Sequence, residues 1–518
     1  MKRSECPGVD CVEGDGQPRQ WVMDGHAIFG EGWTGFDTDI NRQPFQPFQP
    51  LSVVTICPIQ LLRLLNTTPS IHAPKLLVIS YACAPGKGSE WGAGWNFVRE
   101  MARTNDVYLI THDDNRADIE TFLPTFVDRD RVHVRYVGLS KSLGWMRDSA
   151  YALLNLHYYF WQKLAARVAI GWHDEVHFDI VQHISYMRWW MPSAGSALAS
   201  RGVKFIFGPV VGGEVMPKQF RKRLSFANRF GEWQRRMAMK VWSFDPALAK
   251  CIRSASLVIC GTRNSLNQVQ KFGPQRVELM ASGTMSDETI LNAARLEQSK
   301  RPRGDRFRVV SVGGMSYFRG IDLCLRAFAK AALPDAEYIH CCDGPERHHL
   351  RQLVRELGIE GRVTFTGDRK HAENVKTVGR GDVYIHGVLR DSMGTIPEAM
   401  WLGLPVLTLD HNTPGLMVDS ACGHKVKIDD STTPEEIIDE MARVLRDWYA
   451  NPELIKKLGE AGAQRCQQFS ISARGEQNRA FHRLVLESEN LSEKSTSNES
   501  LSARNASIAS NATSHAAS

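Results

Sequence analysis

Short apolar runs alternate with longer amphipathic segments through most of the chain. Apolar runs of this length are typical of buried strands, whereas apolar residues that recur every three or four positions indicate helices. Six runs predict strands in the first half, at residues 75–82, 106–112, 132–138, 179–185, 204–210 and 255–262. Five more follow in the second half, at residues 307–314, 336–344, 363–367, 382–387 and 405–410. Because helical segments separate these strands, the pattern predicts an α/β fold with two doubly wound parallel-sheet domains.

The same pattern sets the expected domain limits. Residues 1–74 show no sustained period and are predicted to be a poorly ordered extension, and residues 488–518, rich in Ser, Asn and Ala, a disordered tail. Between them we expect a first domain at 75–288, a second domain at 289–467, and a helix at 468–487 that returns towards the first domain.

Composition places the chain among ordinary globular proteins. Of 518 residues, 43% are hydrophobic and 23% are charged, and the net charge of +6 is too small for a dedicated nucleic-acid binder. The 11 cysteines form no C-x-x-C pair, so we interpret them as reduced thiols of a cytoplasmic protein. No apolar run reaches the roughly 20 residues that span a bilayer, which leaves peripheral membrane contact open.

Ligands of open parallel sheets bind beyond the carboxyl ends of the strands, where backbone amides are free. In residues 390–407, a predicted strand is followed by a loop that contains Gly394, and a helix opens near Thr395. Amides at such a start favour a phosphate, and Glu398, one turn into the helix, can reach a hydroxyl of a bound ribose. Taken alone, this segment also fits an ordinary helix start with a surface carboxylate.

Two further segments repeat the order of strand, turn and helix. Residues 311–331 have Gly313 in a glycine-rich turn and Arg319 at the entrance of the helix, where a cation could meet a pyrophosphate. In the next such turn, Gly344 and Pro345 open a helix. Together these segments favour a phosphate site over an ordinary helix start.

In this order, the three segments resemble the carboxyl-terminal half of the retaining glycosyltransferases of family 4, which have the GT-B fold. Four upstream segments look like the acceptor-side domain of family members proposed to act on cell-surface polysaccharide: residues 80–102, 109–120, 178–193 and 207–214. The resemblance covers residues 75–487. It implies two Rossmann-like domains that face a central cleft. It also implies retaining transfer of a sugar from a nucleotide-diphosphate sugar to a glycan or lipid-linked acceptor, without a cofactor.

The resemblance implies roles for the residues that match its motifs. Glu398 stands at the second glutamate of a paired-glutamate motif, which contacts the ribose, and Asp391 stands at the first. Arg319 stands where a lysine binds the donor phosphates, and His183 where a histidine lies near the reacting sugar. A glycine-rich turn that faces the donor phosphates is matched by Gly88, Ser89, Glu90 and Gly92.

Two departures from the family leave other functions open. Asp391 is separated from Glu398 by six residues instead of seven, and Gly314 replaces the arginine that accompanies the phosphate-binding cation. One cation fewer on a pyrophosphate costs about 2 kcal/mol, on the order of one charged hydrogen bond. A non-catalytic nucleotide-sugar-binding protein at the membrane is therefore an alternative. A nucleotide-sugar epimerase of the same architecture is another.

No motif requires a metal ion. The sequence HDEVH at residues 173–177 has two histidines four positions apart, but its glutamate is not next to the first histidine as in the zinc-protease pattern. We predict a solvated turn there, and metal-independent transfer.

The positive charge is concentrated in residues 216–242, which hold eight Lys or Arg against one acid, Glu232, with aromatic residues interleaved. One interpretation is a solvated helix with an apolar core face. The other is a basic amphipathic surface on anionic lipid, which would place the protein on the inner face of the plasma membrane.

Overall fold

Two sheets form the framework of the protein. The computed structural model describes residues 73–487 except 88, 141–145, 147–150, 187, 284, 286–287, 300–305 and 391–394. The first sheet contains β1 (Lys75–Ser80), β2 (Asp106–His112), β3 (Val132–Val137), β4 (Ile180–His183), β5 (Lys204–Val210), β6 (Leu257–Cys260) and β7 (Val277–Leu279). The second contains β8 (Phe307–Val312), β9 (Ala336–Cys341), β10 (Val363–Phe365), β11 (Val383–His386), β12 (Val406–Leu409) and β13 (Gly423–Val426).

Each sheet extends in both directions from its first strand. The strand orders are β3-β2-β1-β4-β5-β6-β7 and β10-β9-β8-β11-β12-β13, and neighbouring strands run parallel. The predicted pair of doubly wound parallel sheets is confirmed. The limits at 288 and 467 stay predictions, because the structure places sheets and helices and not domain boundaries.

All eleven predicted strands are present, and two edge strands were missed. The inner strands β4, β6, β11 and β12 are buried along their whole length, because helices cover both faces of a parallel sheet. In contrast, β7 is partly exposed throughout, and the middle of β13 is His424 and Lys425. Edge strands such as these do not need a continuous apolar run, so the sequence pattern does not reveal them.

The helices of the first half are α1 (Ser89–Ala102), α2 (Arg116–Phe122), α3 (Tyr151–Val176), α4 (Ser196–Ala199), α5 (Lys218–Arg221), α6 (Phe226–Trp242), α7 (Pro246–Ser254) and α8 (Arg263–Gln270). Those of the second half are α9 (Glu288–Ser299), α10 (Ile321–Ala331), α11 (Arg347–Glu356), α12 (His371–Val378), α13 (Thr395–Trp401), α14 (Asn412–Met417), α15 (Pro434–Tyr449), α16 (Pro452–Arg465) and α17 (residues 471–487). None of the described helices is both long enough and apolar enough to cross a membrane.

Apolar cores lie on both faces of each sheet. One face of the first sheet packs around Trp161 of α3, and the other around Met101 of α1. The second sheet is covered by α10 and α15 on one face, and by α9 and α13 on the other. The eight cysteines in the described part of the chain are free thiols, and seven of them are buried.

The predicted turn at residues 173–177 is wrong for its first four residues. His173 to Val176 form the last turn of α3, and His177 follows with a left-handed φ of 59°. The Nδ1 atom of His173 accepts a hydrogen bond from the backbone N–H of Phe178 at 3.0 Å. The helix therefore continues to Val176, and the side chain of His173 in its last turn caps its end.

The basic segment is two helices and not one, and its first part is anchored by two buried apolar residues. Met216 and Phe220 are buried in the core of the second sheet, so residues 216–224 cross from the first half to the second. The outer face of α6 is also not an apolar core face, because Phe226 and Trp233 are 83% and 55% exposed. The interpretation as a helix with an apolar core face therefore needs correction for α6, whereas the interpretation as a surface on anionic lipid stays a prediction.

The helix α17 packs on the first sheet. Phe481 and Val485 lie in one of its cores. The side chain of Gln182 in β4 makes hydrogen bonds to Asn478 at 3.0 Å and to His482 at 2.6 Å. The chain therefore crosses from the second half back to the first.

Candidate functional site

The strand order reverses at two places, between β1 and β4 and between β8 and β11. Adjacent strands at such a point send their connections to opposite faces of the sheet, which opens a crevice at their carboxyl ends. In the second sheet, β8 leads to Gly313 and to a 3-10 turn, Tyr317–Arg319, and β11 leads to Gly387. Of the predicted site residues of this half, Gly313 and Arg319 follow β8, Thr395 and Glu398 follow β11, and Gly344 and Pro345 follow the neighbouring strand β9.

The turn that holds Arg319 touches the end of β11 directly. Gly320 has a left-handed φ of 62°, and a Cβ atom there would lie 1.9 Å from the carbonyl oxygen of Gly387. A Cβ atom at Gly387 would lie 2.4 Å from the carbonyl oxygen of Gly320. The two backbones can approach this closely because neither residue has a side chain. Arg319 is thereby held, half-buried, beside the carboxyl end of β11.

Two buried histidines support this turn. His340 Nε2 lies 2.9 Å from the carbonyl oxygen of Gly313, and its Nδ1 lies 2.7 Å from the hydroxyl of Ser311. Since a carbonyl oxygen accepts, Nε2 is the donor nitrogen. Burial lowers the pKa of His340 to about 4, and burial together with the Arg319 charge lowers the pKa of His386 to about 3. Both rings are neutral at pH 7, so the positive charge at this turn comes from Arg319.

Glu398 is buried and paired, which excludes the interpretation as a surface carboxylate. It is 5% exposed, and its Oε1 lies 3.0 Å from Nε2 of His371 at the start of α12. The hydrogen bond to Glu398 raises the pKa of His371. At the start of α13, the hydroxyl of Thr395 lies 2.5 Å from that of Tyr384 in β11. The first turn of α13 is therefore tied to the strand that precedes it.

Gly344 has a packing role that the sequence did not reveal. A Cβ atom there would lie 2.6 Å from the backbone nitrogen of Met315. The N–H of Met315 donates to the carbonyl of Asp343 and the N–H of Glu346 to that of Met315, both at 2.9 Å. The turns after β8 and β9 therefore lock together, with Pro345 exposed beside them.

His183, the last residue of β4, lies at the reversal point of the first sheet. It is 1% exposed, its Nε2 lies 3.4 Å from the Tyr158 hydroxyl, and its ring centroid lies 5.5 Å from that of Phe207. Its Nδ1 makes no hydrogen bond within the described residues. Burial lowers the pKa of His183 to about 3, so the ring is neutral.

The predicted glycine-rich turn is largely a helix. Ser89, Glu90 and Gly92 lie in the first turn of α1, and a Cβ atom at Gly92 would lie 2.1 Å from the carbonyl oxygen of Lys87. A close backbone approach therefore accounts for Gly92. Gly88, Asp391 and Gly394 lie outside the described residues.

Several polar residues of the site were missed, namely His340, His371, Tyr384 and His386. A signal was present for one of them, because His386 lies next to the carboxyl end of the strand predicted at residues 382–387, whereas His340 lies in the middle of the strand predicted at 336–344. A polar residue at that position of a buried strand faces the loops that bind ligands. His371 and Tyr384 had no such signal, because their partners, Glu398 and Thr395, lie on a different helix or strand.

Among the described residues, one group of possible metal ligands lies together, in His112, Asp113 and Asp114, whose ligand atoms are within 4.8 Å of one another. Both carboxylates are exposed, and the group follows β2 in the first sheet. Metal independence therefore stays a prediction.

The architecture is that of HepE from Anabaena in complex with UDP. That structure superimposes with a TM-score of 0.50 at 18% sequence identity and covers 81% of this chain and 100% of its own. The chain has the GT-B fold. Within it, residues 292–465, about a third of the chain, match the family model of glycosyl transferases group 1. This GT-B segment contains Arg319, Gly344 and Glu398.

Two curated relatives are similar to the GT-B chain at lower coverage. The alpha-D-kanosaminyltransferase of Streptomyces kanamyceticus is 26% identical over 245 residues, which cover 45% of this chain and 62% of that protein. The lipopolysaccharide core biosynthesis glycosyltransferase LpsD of Rhizobium meliloti is 26% identical over 259 residues, which cover 45% of this chain and 68% of its own. The chain thus spans less than two thirds of the first relative's length.

The contact between Gly320 and Gly387 predicts unequal costs for two similar substitutions. Gly358→Ala adds a side chain at a φ of 65° with no atom within 4 Å, so it costs about 1 kcal/mol for the left-handed backbone alone. Gly320→Ala adds the overlap with Gly387 and is expected to cost about 3 kcal/mol or more. Thermal unfolding should show a Tm decrease at least twice as large for Gly320→Ala. Equal decreases would contradict the close approach.

Proposed function

We propose that this protein is a retaining glycosyltransferase. It transfers a sugar from a nucleotide-diphosphate sugar to a glycan or lipid-linked acceptor in cell-surface polysaccharide biosynthesis. The observation that supports this most is the placement of Arg319 and Glu398. They follow the two strands that flank the reversal point of the second sheet, within the segment that matches glycosyl transferases group 1. A cation and a carboxylate there suit a diphosphate and a ribose.

In this proposal the donor lies against the second sheet and the acceptor against the first. Arg319 offsets the negative charge that grows on the departing nucleoside diphosphate, and Glu398 accepts hydrogen bonds from the ribose hydroxyls. His183 is neutral, so one ring nitrogen accepts and the other donates, which suits it to orient a sugar hydroxyl. The departing phosphate takes the acceptor's proton, so no carboxylate nucleophile and no metal ion is assigned.

The similar proteins are consistent with this proposal. HepE was crystallised with UDP, and one of the curated relatives acts in lipopolysaccharide core biosynthesis. A nucleoside-diphosphate donor and a cell-surface product for this chain are inferences from that similarity together with the site.

Glu398→Ala tests the donor site. The purified protein is incubated with a panel of UDP-, GDP- and dTDP-sugars, and release of the nucleoside diphosphate is measured. The wild type should release it from at least one donor, and Glu398→Ala should lower that rate by 100-fold or more, about 3 kcal/mol of lost transition-state stabilisation. The matched control is Glu356→Ala, an exposed acid of α11 in the same half. A Glu398→Ala variant as active as the control would remove Glu398 from the site.

One observation favours a second candidate, a nucleotide-sugar-binding protein without transfer. At Gly314, where the family has an arginine, a Cβ atom would meet nothing closer than the Asp343 carbonyl oxygen at 3.6 Å. A side chain would therefore fit at Gly314, and lack of space does not explain why this chain has no arginine there. The same donor panel separates the candidates, because a binding protein takes up the nucleotide sugar without releasing nucleoside diphosphate.

We further propose that α6 rests on an anionic membrane surface. Its exposed apolar residues recur every three or four positions and form one stripe, the α6 stripe: Phe226, Phe230, Trp233, Met237 and Val241. The rings of Phe230 and Trp233 stack with centroids 5.7 Å apart. Exposed basic residues flank the stripe, namely Lys222, Arg223, Arg229, Arg236 and Lys240. An apolar stripe between cations suits the boundary between acyl chains and anionic headgroups.

Liposome flotation tests the α6 stripe. The wild type should float with vesicles that contain phosphatidylglycerol, and less with pure phosphatidylcholine. The double variant Phe230→Ser/Trp233→Ser should weaken partitioning of the protein onto vesicles by about 10-fold or more, because it loses two aromatic side chains that would be buried in the bilayer surface. The control is Val127→Ser, which changes an apolar residue that is 91% exposed outside the stripe. Flotation that does not depend on lipid charge, or equal flotation of both variants, would contradict the proposal.

A further inference from the structure

The inner side of α6 carries a buried carboxylate. Glu232 is the one acid of residues 216–242, and its side chain is 4% exposed, although the helix is otherwise basic. A buried carboxylate is strongly unfavourable unless charged and hydrogen-bonded partners surround it. Its partners therefore show what this side of the helix is for.

Those partners belong to the second half of the protein. Glu232 Oε1 accepts hydrogen bonds from the hydroxyl of Tyr317, at 2.9 Å, and from the guanidinium of Arg390. Arg390 also donates to the Tyr317 hydroxyl at 3.2 Å. The three side chains thus form a closed set of hydrogen bonds, the Glu232 cluster, which joins α6 to the loops after β8 and β11. Burial and the neighbouring carboxylate raise the pKa of Tyr317, so its hydroxyl stays protonated and donates.

The Glu232 cluster fixes the turn that holds Arg319. Tyr317, Phe318 and Arg319 are consecutive residues of one 3-10 turn. The guanidinium of Arg390 lies 4.0 Å from the ring centroid of Phe318, and the carbonyl of Phe318 accepts the N–H of Leu389 at 2.9 Å. The contact between Gly320 and Gly387 holds the far end of the turn. The conformation of Arg319 therefore depends on contacts from both halves.

We propose that Glu232 is a positioning residue for the donor diphosphate, acting through Tyr317 and Arg390 on Arg319. This rests on the proposed function, because the diphosphate is the ligand that Arg319 would meet. Glu232 does not touch the substrate. It lies in the acceptor-side half, and its hydrogen bonds to Tyr317 and Arg390 constrain the Arg319 turn in the donor-side half.

The experiment is a double-mutant cycle between Glu232 and Arg319. Affinity for the nucleoside diphosphate of the best donor in the panel is measured by calorimetry, since binding needs no turnover. Glu232→Gln keeps the shape of the side chain and removes its charge. It should weaken binding and lower kcat/KM for the donor, each by about 10- to 100-fold, while Tm shows that the fold is kept. In an Arg319→Ala background, the same substitution should change binding by less than about 2-fold, because the effect passes through Arg319.

Two further variants keep the cycle decisive. Tyr317→Phe removes only the hydroxyl that donates a hydrogen bond to Glu232. It should also weaken binding of the nucleoside diphosphate, and it can be measured even if Glu232→Gln is unstable. Asp430→Asn is the matched control, because it removes the exposed ion pair that Lys218 makes across the same two halves at 3.1 Å and that includes no residue of the Glu232 cluster. It should bind and turn over like the wild type.

The outcomes separate this inference from the proposed function. Wild-type affinity in both Glu232→Gln and Tyr317→Phe, or equal losses with and without Arg319, would overturn the positioning role alone. A wild type that binds nucleoside diphosphate but releases none from any donor would overturn glycosyl transfer, and the binding cycle would still decide the positioning role. A wild type that binds no nucleoside diphosphate would overturn both.

Discussion

The candidate site in the second half of this protein depends on the contact between two glycine backbones. Gly320 follows the Arg319 turn and Gly387 follows β11, and each occupies space that a side chain on the other would need. Because of this contact, Gly320 and Gly387 bring the chain after β8 against the chain after β11, and together they form one rim. Arg319 is attached to that rim on one side, and α13 with Glu398 begins a few residues beyond it on the other. Without the contact, the Arg319 turn would lose the backbone constraint that the end of β11 places on it.

Burial decides the charge states of three histidines at the reversal points of the two sheets. His340, His386 and His183 are all buried and neutral, with pKa values lowered to about 4, 3 and 3. They therefore provide hydrogen-bond donors and acceptors without adding charge, and the carbonyl of Gly313 fixes which nitrogen of His340 donates. Besides Arg319, two carboxylates are paired across elements, Glu398 with His371 and Glu232 with Arg390. Such pairs tie helices to loops, because separating them would leave a buried charge without its partner.

The strands and the order of the site motifs could be predicted from sequence because they depend on local patterns. Continuous apolar runs mark strands that are covered on both faces, and the edge strands β7 and β13 escaped because they lack that pattern. The placement of Arg319 and Glu398 after β8 and β11 followed from the same rule. The fold was thus accessible from the residues, and the resemblance to a family agreed with it.

Contacts between distant residues could not be predicted in this way. Nothing near Glu232 in the sequence indicates that the one acid of a basic helix is buried against Tyr317 and Arg390, up to 158 residues away. The same holds for Glu398 and His371. The exposed α6 stripe has the sequence pattern of a core-facing helix, and only the packing of its neighbours shows which face is covered.

Hydrogen–deuterium exchange with and without the nucleoside diphosphate tests most directly whether the donor binds at the rim between β8 and β11. Bound ligand should slow amide exchange in residues 313–320 and in α13, where the backbone would face the diphosphate and ribose. Exchange in the groove lined by Phe307, Tyr449 and Lys456, which begins at the opposite end of β8, should not change. Binding that leaves residues 313–320 and α13 unprotected would contradict this account of the site.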